Sequence, residues 1–396
     1  VMLNLAFFSH SNISPSETFI YDLVEGLSLC TDVSVNYVSG KREVLHTNLK
    51  INKYTTGYSD KYQVTALRLH KLGQIKGAKG DEWQMRFIQR VALRQLKNTM
   101  LPNFDVAYVE YATSGVLVMD YLQLQQIPFV VHVHGYDITT CLNDKAYVKE
   151  LKRLFALAQG FIAASHYMKR RLILLGCDEN KIKVIRLGVS SKGIVPLNWD
   201  TRKLQNPSIV YLGRFTEKKH PMALLYAFRI VKNKIPNATL TMIGGGPLEK
   251  EVKQLITQLS LEESVALKGV LSREFSFPIL NKHWIYAQHS VTSVNGDTEG
   301  FAISLAEAAL HELPVVSTYH NGIPENVIDG KTGLLVKEYD YEAMAEKIIL
   351  LIENPDIAEK MGKAGRNHIL QLCEPKKRIK EIKELLYQVA NNNLIK

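Results

Sequence analysis

Apolar and polar positions alternate in blocks along the chain. Short β-branched or aromatic runs at residues 3–8, 33–38, 106–110, 129–133, 161–164 and 183–185 are separated by stretches of helical composition. Nearly continuous apolar runs of this length suit strands buried on both faces, and their alternation with helices predicts a parallel sheet. A second series follows at residues 209–212, 239–243, 265–267, 291–294, 315–318 and 333–336. Between the two, residues 190–207 are polar and irregular, with Pro196, Asn198, Asp200 and Asn206, and read as a linker. The pattern predicts two Rossmann-like α/β domains, residues 1–190 and 207–374. A helical tail over 375–396, with Ile379, Ile382, Leu385, Leu386 and Val389 at helical spacing, is expected to pack back on the first domain.

Length agrees, since 396 residues exceed one ordinary core. Hydrophobic residues make up 46% and charged residues 22%, and no apolar run reaches the ~18 residues that would span a bilayer. The opening run reads as a strand rather than a signal peptide. Cys30, Cys141, Cys177 and Cys373 have no metal-ligand spacing, so a reducing cytoplasm is the expected compartment. The net charge of +10 is concentrated: residues 41–100 hold thirteen Lys or Arg against four acids. That segment reads either as a solvated helix face or as a surface for anionic lipid headgroups, with peripheral attachment at the inner membrane face. It contains no recognisable nucleic-acid-binding module.

The densest candidate chemistry lies in residues 296–318, GDTEGFAISLAEAALHELPVVST. This reads as a turn, a helix and a buried strand, with Glu299 and Glu307 eight residues apart, about 12 Å on a helical rise. Free N–H groups where that helix begins near Ile303, aimed over Gly300, Phe301 and Ala302, suit a diphosphate, with a sugar on Glu299 and a ribose on Glu307. The plainer reading is an amphipathic helix with solvated glutamates. Arg214 and Lys219 follow the first strand of the second domain, where ligands of open α/β sheets bind; they are either a diphosphate clamp or surface charge. Gly244, Gly245 and Gly246 form a tight strand-to-helix turn bordering the same pocket. In a dinucleotide fingerprint a third glycine would stand where Glu249 does. In the first domain His134 and Asp137 emerge at the end of an apolar strand, His134 as a candidate for a sugar hydroxyl or the reacting centre. His132 and His134 are read as alternating across the strand with no third ligand beside them, so no metal is expected.

Taken together, Gly213-Arg214 with Lys219, the Gly244–Gly246 turn, Glu299 with Glu307, and Gly322-Ile323-Pro324-Glu325 resemble the retaining glycosyltransferases of family four over nearly the whole chain. The resemblance implies the GT-B fold, with two Rossmann-like domains facing across a cleft. It also implies transfer from a nucleoside-diphosphate sugar, UDP-linked by preference, to a glycan or polyprenyl-diphosphate-linked acceptor. Arg214, Lys219 and the backbone of Phe301, Ala302 and Ile303 would meet the diphosphate, Glu307 the ribose, and Glu299 the donor sugar. His134 matches the family's first-domain histidine, with Asp137 orienting its loop, and neither metal nor other cofactor is implied.

Two departures stand out. Residues 9–19, SHSNISPSETF, replace the Gly-Gly loop of many members and look like the branch that builds bacterial exopolysaccharide, capsule or O-antigen. Ser16, Glu17 and Thr18 are the candidates there for donor and acceptor contact. His220 stands where a glycine commonly follows the lysine. The alternatives are a GDP-mannose-type donor, a GT-B nucleotide-sugar epimerase, a nicotinamide enzyme and a non-catalytic glycan-binding relative.

Overall fold

The computed structural model describes residues 2–10, 18–41, 49, 51–59 and 78–393. The chain divides into two compact units: Val1–Gly188 with Pro375–Lys396, and Val189–Glu374. In the first unit seven parallel strands, β1 (Leu3–Ser9), β2 (Val33–Ser39), β3 (Asn52–Thr55), β4 (Val106–Glu110), β5 (Phe129–Val133), β6 (Gly160–Ala163) and β7 (Ile182–Val184), are ordered 3-2-1-4-5-6-7. The strand order reverses between β1 and β4. In the second, β8 (Ser208–Leu212), β9 (Thr239–Ile243), β10 (Val265–Leu267), β11 (Ile285–Ala287), β12 (Val315–Thr318) and β13 (Gly333–Val336) are ordered 10-9-8-11-12-13, reversing between β8 and β11. Ligands of such sheets bind beyond the carboxyl ends of the strands at these reversal points.

Helices form where the sequence supplies both an apolar face and a stop. Asp144 opens the helix Lys145–Leu157 by accepting from the N–H groups of Ala146 (2.8 Å) and Tyr147 (3.2 Å). Proline begins the helices Pro221–Lys234, Pro355–Leu372 and Pro375–Asn393, where its missing N–H costs nothing. The helix Pro375–Asn393 belongs to the first unit. Arg378 Nη1 donates to the Phe19 carbonyl at 2.9 Å, and Lys383 is ion-paired with Asp32 at 2.9 Å. A methyl group on Gly26 would lie 2.5 Å from Ile379 Cδ1, so the helix Thr18–Ser28 meets this helix at a glycine.

Two sequence expectations differ from the structure. Residues 190–207 are not a loose linker, because the helix Trp199–Lys203 anchors them in the second unit's core. There Trp199 is buried, and the fully buried Arg202 donates to the carbonyls of Asn281 and His311, each at 3.1 Å. Residues 291–294 are irregular, and the fourth strand of the second series is Ile285–Ala287. Val291 instead gives its N–H to the Lys218 carbonyl at 2.8 Å.

Candidate functional site

In the second unit the chain leaves β8 through Gly213 and leaves β9 through Gly244, and the two exits are laced together by backbone. Phe215 N–H donates to the Gly245 carbonyl at 2.8 Å, and Leu248 N–H to the Phe215 carbonyl at 3.1 Å. Gly244 and Gly246 have φ of +143° and +150°, and a Cβ on either would run into the carbonyl of Gly213 or Phe215. These glycines therefore serve the approach of one loop to its neighbour. The next turn brings Lys219 back over Gly213 and ends on His220, whose φ of +38° is the left-handed geometry that explains a glycine preference at this place. His220 offsets part of that strain by capping the next helix, its Nδ1 accepting from Ala223 N–H at 3.2 Å.

Lys219 arrives at the reversal point, with its Nζ 2.9 Å from Glu299 Oε1 and 3.3 Å from Oε1 of Gln288, the residue directly after β11. Glu299 is only 7% exposed. Burial pushes its carboxyl up, but Lys219, Lys218 and His320 outweigh burial and hold it down at about 2. Its backbone N–H donates to His320 Nε2 at 3.1 Å, and His320 Nδ1 lies 2.6 Å from Glu338 Oε1. In a neutral ring an accepting Nε2 requires the proton on Nδ1, so the contact between buried His320 and half-buried Glu338 fixes one tautomer and with it the Glu299 loop.

The helix Ile303–Leu310 begins at Ala302, in left-handed geometry with φ +57°. Ile303 and Ser304 sit in its first turn, where N–H groups have no intrahelical acceptor. Phe301 and Ala302 are buried, and the Phe301 carbonyl accepts from Asn326. Only Glu307 of the two glutamates is on the helix, so the 12 Å helical spacing does not apply. Glu307 is 7% exposed and ion-paired with Arg273 Nε at 2.9 Å. Arg214 is exposed. The second unit thus brings Lys219 and Glu299 together; Gln288, Arg273, His320 and Glu338 are neighbours that sequence reasoning missed.

In the first unit, β4 ends on Glu110 and β5 runs into His134. His134 Nε2 contacts Glu110 Oε1, and its ring lies 4.6 Å from Tyr111, 4.8 Å from Phe19 and 4.1 Å from His132. His132 and His134 therefore do not alternate: residues two apart on a strand share a face. With Glu110 they bring three potential ligand atoms within 4.8 Å of one another. Burial, His134 and Arg378 all hold His132 well below its usual range. The Arg378 guanidinium adds positive charge near His132.

Asp137 is fully buried and accepts from the N–H groups of Ala112 (2.8 Å), Gly135 (3.0 Å) and His134 (3.1 Å). Burial lifts its carboxyl above the ordinary range against the pull of His134 and these donors. It shapes the loop and opens the helix Ala112–Leu124. Thr18, half-buried, begins the helix Thr18–Ser28, while Ser16 and Glu17 lie outside the described residues.

Two family descriptions match the chain, Glycosyltransferase Family 4 over residues 17–192 and Glycosyl transferases group 1 over residues 199–368. The amylovoran biosynthesis glycosyltransferase AmsK of Erwinia amylovora is 33% identical over 251 residues, covering 62% of this chain and 61% of the relative. The putative colanic acid biosynthesis glycosyltransferase WcaL of Escherichia coli is 31% identical over 250 residues, covering 62% and 60%. The chain thus spans about three-fifths of the length of these curated relatives. Among solved structures, Anabaena HepE in complex with UDP and glucose superposes with a TM-score of 0.73 at 18% identity, over 98% of this chain and 100% of that one. That likeness is one of fold, and the fold is GT-B.

Proposed function

The chain belongs to the family-four glycosyltransferases, and from that premise we propose that it moves a sugar from a nucleoside-diphosphate sugar to a glycan or polyprenyl-diphosphate-linked acceptor in bacterial surface-polysaccharide synthesis. The observation that carries this is the Lys219–Glu299 pair at the β8/β11 reversal point, beside the helix that begins at Ile303. Lys219 and Arg214 neutralise the diphosphate, and the first-turn N–H groups of the helix donate to its oxygens. Glu307 takes the ribose hydroxyls and Glu299 the sugar hydroxyls. With cationic side chains facing the phosphates, the reading is metal-independent. Transfer proceeds with retention: the bond from the anomeric carbon to the β-phosphate oxygen breaks as the acceptor oxygen bonds on the same face. The acceptor proton passes to the departing phosphate, so no enzyme nucleophile is needed.

A UDP-linked donor is favoured by the fold neighbour held with UDP and glucose. A GDP-linked donor is the second reading, since a relative 31% identical over 186 residues, from Mycolicibacterium smegmatis, is described as a GDP-mannose-dependent mannosyltransferase. A thermal-shift panel with UDP, GDP, ADP, CDP and NAD decides between them. A ligand at ~100 times its dissociation constant adds about 2.7 kcal/mol, so one nucleoside diphosphate should raise the melting point selectively, and Lys219→Ala should reduce that rise. A response to NAD alone, or to none of the diphosphates, would overturn the reading.

The acceptor reading draws on the helix Ala78–Asn98. Trp83 and Phe87, exposed and stacked at 5.6 Å, share one helical face with exposed Arg90, Arg94 and Lys97. Such a face suits peripheral attachment to an anionic bilayer, each basic residue contributing about 1 kcal/mol. No helix among the described residues is long and apolar enough to cross a membrane. The protein should co-sediment with vesicles containing phosphatidylglycerol and not with phosphatidylcholine alone; equal binding to both, or none, removes this attachment.

A further inference from the structure

We propose that Glu110 is a positioning residue that holds the proton of His134 on Nε2, leaving Nδ1 as a hydrogen-bond acceptor for a sugar hydroxyl. The inference rests on the reading of His134 as a sugar-facing group of a transferase. Glu110 closes β4 and is fully buried, paired in register with His132 on β5. A carboxylate in such a place has to be met by donors, because burying a bare charge costs several kcal/mol.

The donors within reach are few. Glu110 Oε1 contacts His134 Nε2 and lies 3.9 Å from His132 Nδ1, and Oε2 has no hydrogen-bond partner among the described residues. His132 Nδ1 is engaged by the Tyr108 hydroxyl at 2.5 Å, nearer than the carboxylate. The Tyr108 hydroxyl also acts on Glu110, but the group in direct contact with Oε1 is His134 Nε2, so the hydrogen that meets this oxygen is the one on His134 Nε2. In its neutral form the imidazole carries a single N–H, so with the proton on Nε2 the other nitrogen presents its lone pair.

The ring is also fixed in place. Phe19, Tyr111 and His132 pack around it, and Asp137 holds its backbone N–H at 3.1 Å. Without Glu110 the ring keeps these contacts but loses the interaction that distinguishes its two nitrogens. The neutral tautomers then mix, and a fraction of molecules offers an N–H to a hydroxyl whose own hydrogen needs an acceptor. The functional loss comes from wrong protonation in a correctly placed ring.

The test is nitrogen NMR of the full chain labelled with 15N-histidine, assigned by difference with His134→Asn. In the wild type His134 should show a protonated Nε2 and a bare Nδ1. Glu110→Met removes the acceptor and fills the space. It should mix the tautomers and lower kcat on the order of a hundredfold while leaving nucleoside-diphosphate affinity unchanged, and Glu110→Gln, with a carbonyl to accept, should recover part of the rate. A wild-type His134 carrying its proton on Nδ1 overturns the proposal, and that spectrum decides even if Glu110→Met fails to fold. A Glu110→Met protein with wild-type tautomer and kcat overturns it equally. A wild-type spectrum as expected, with no transfer from any nucleotide sugar, would instead sink the transferase reading and leave the assignment of Glu110 standing.

Discussion

Alanine at Gly244 is expected to prevent the loops after β8 and β9 from closing on each other at the carboxyl end of the second unit's sheet. The added Cβ would lie 1.9 Å from the Gly213 carbonyl oxygen and 2.9 Å from its carbon, and φ is +143°, which alanine rarely adopts. Backbone stands on both sides of the clash, so no side-chain rotation relieves it. The loss should exceed about 4 kcal/mol, an exceptional value for one methyl group, and should lower the melting point by roughly 8 °C or more or abolish soluble protein. Gly296→Ala is the comparison: φ there is +83° but nothing lies within 4 Å of the new atom, so only the local strain of roughly 1 kcal/mol applies. Equal melting points for the two variants would mean that the loops do not approach as described.

Glu299→Gln should affect both turnover and the acid limb of stability. The carboxyl is held at about 2 against an ordinary 4.5, so its contribution is present in full above pH 4.5 and disappears as pH falls through 2. That interval corresponds to roughly 3 kcal/mol. Glutamine cannot ionise and leaves Lys219 without its counter-charge. At pH 7 the variant should be less stable by about that amount, and the gap should narrow steadily below pH 4.5. If Glu299 faces the donor sugar as proposed, transfer should fall on the order of a hundredfold or more with the loss of its charge. Urea titrations at several pH values together with initial rates check both effects. A gap independent of pH would deny the ion pair, and wild-type turnover would take Glu299 out of the chemistry.

The alternating sheet pattern was readable because most strands are apolar runs closed by turn residues. Residues 106–110, 129–133, 239–243 and 315–318 are strands over the lengths expected. Strand β11 was missed because its three residues follow a helix containing Pro278 with no glycine between, while the β-branched Val291, Thr292 and Val294 nearby imitated a strand. Strand β3 is polar and largely exposed, so it carried no apolar signal. Residues 190–207 looked like a linker because a buried arginine has the composition of a surface. Arg202 is stable there only because carbonyls from distant segments converge on it, which no local pattern reveals.

At the site, Lys219, Glu299 and Glu307 were visible as charges beside glycine turns and an apolar helix. Glu110 had a usable signal, a polar residue ending an apolar parallel strand, where such sheets bind ligands, while Gln288 was hidden with the unrecognised strand β11. Arg273, His320 and Glu338 had none, since tertiary contacts alone bring them to their carboxylates or loop. The two-residue period of a strand should have put His132 and His134 on one face from the outset.

The return of the helix Pro375–Asn393 to the first unit has a consequence for synthesis. The second unit is one unbroken stretch, while the first needs a helix encoded some 190 residues after the rest of it. At about 5–20 residues per second, a ribosome takes roughly 10–40 s to supply it. During that interval Gly26 lacks the Ile379 side chain that packs on it, Asp32 lacks Lys383, and the surface later covered by Ile382 and Leu386 stays wet. The unit made first is therefore completed last, and the nascent chain's exposure to chaperones and proteases falls on its amino-terminal half.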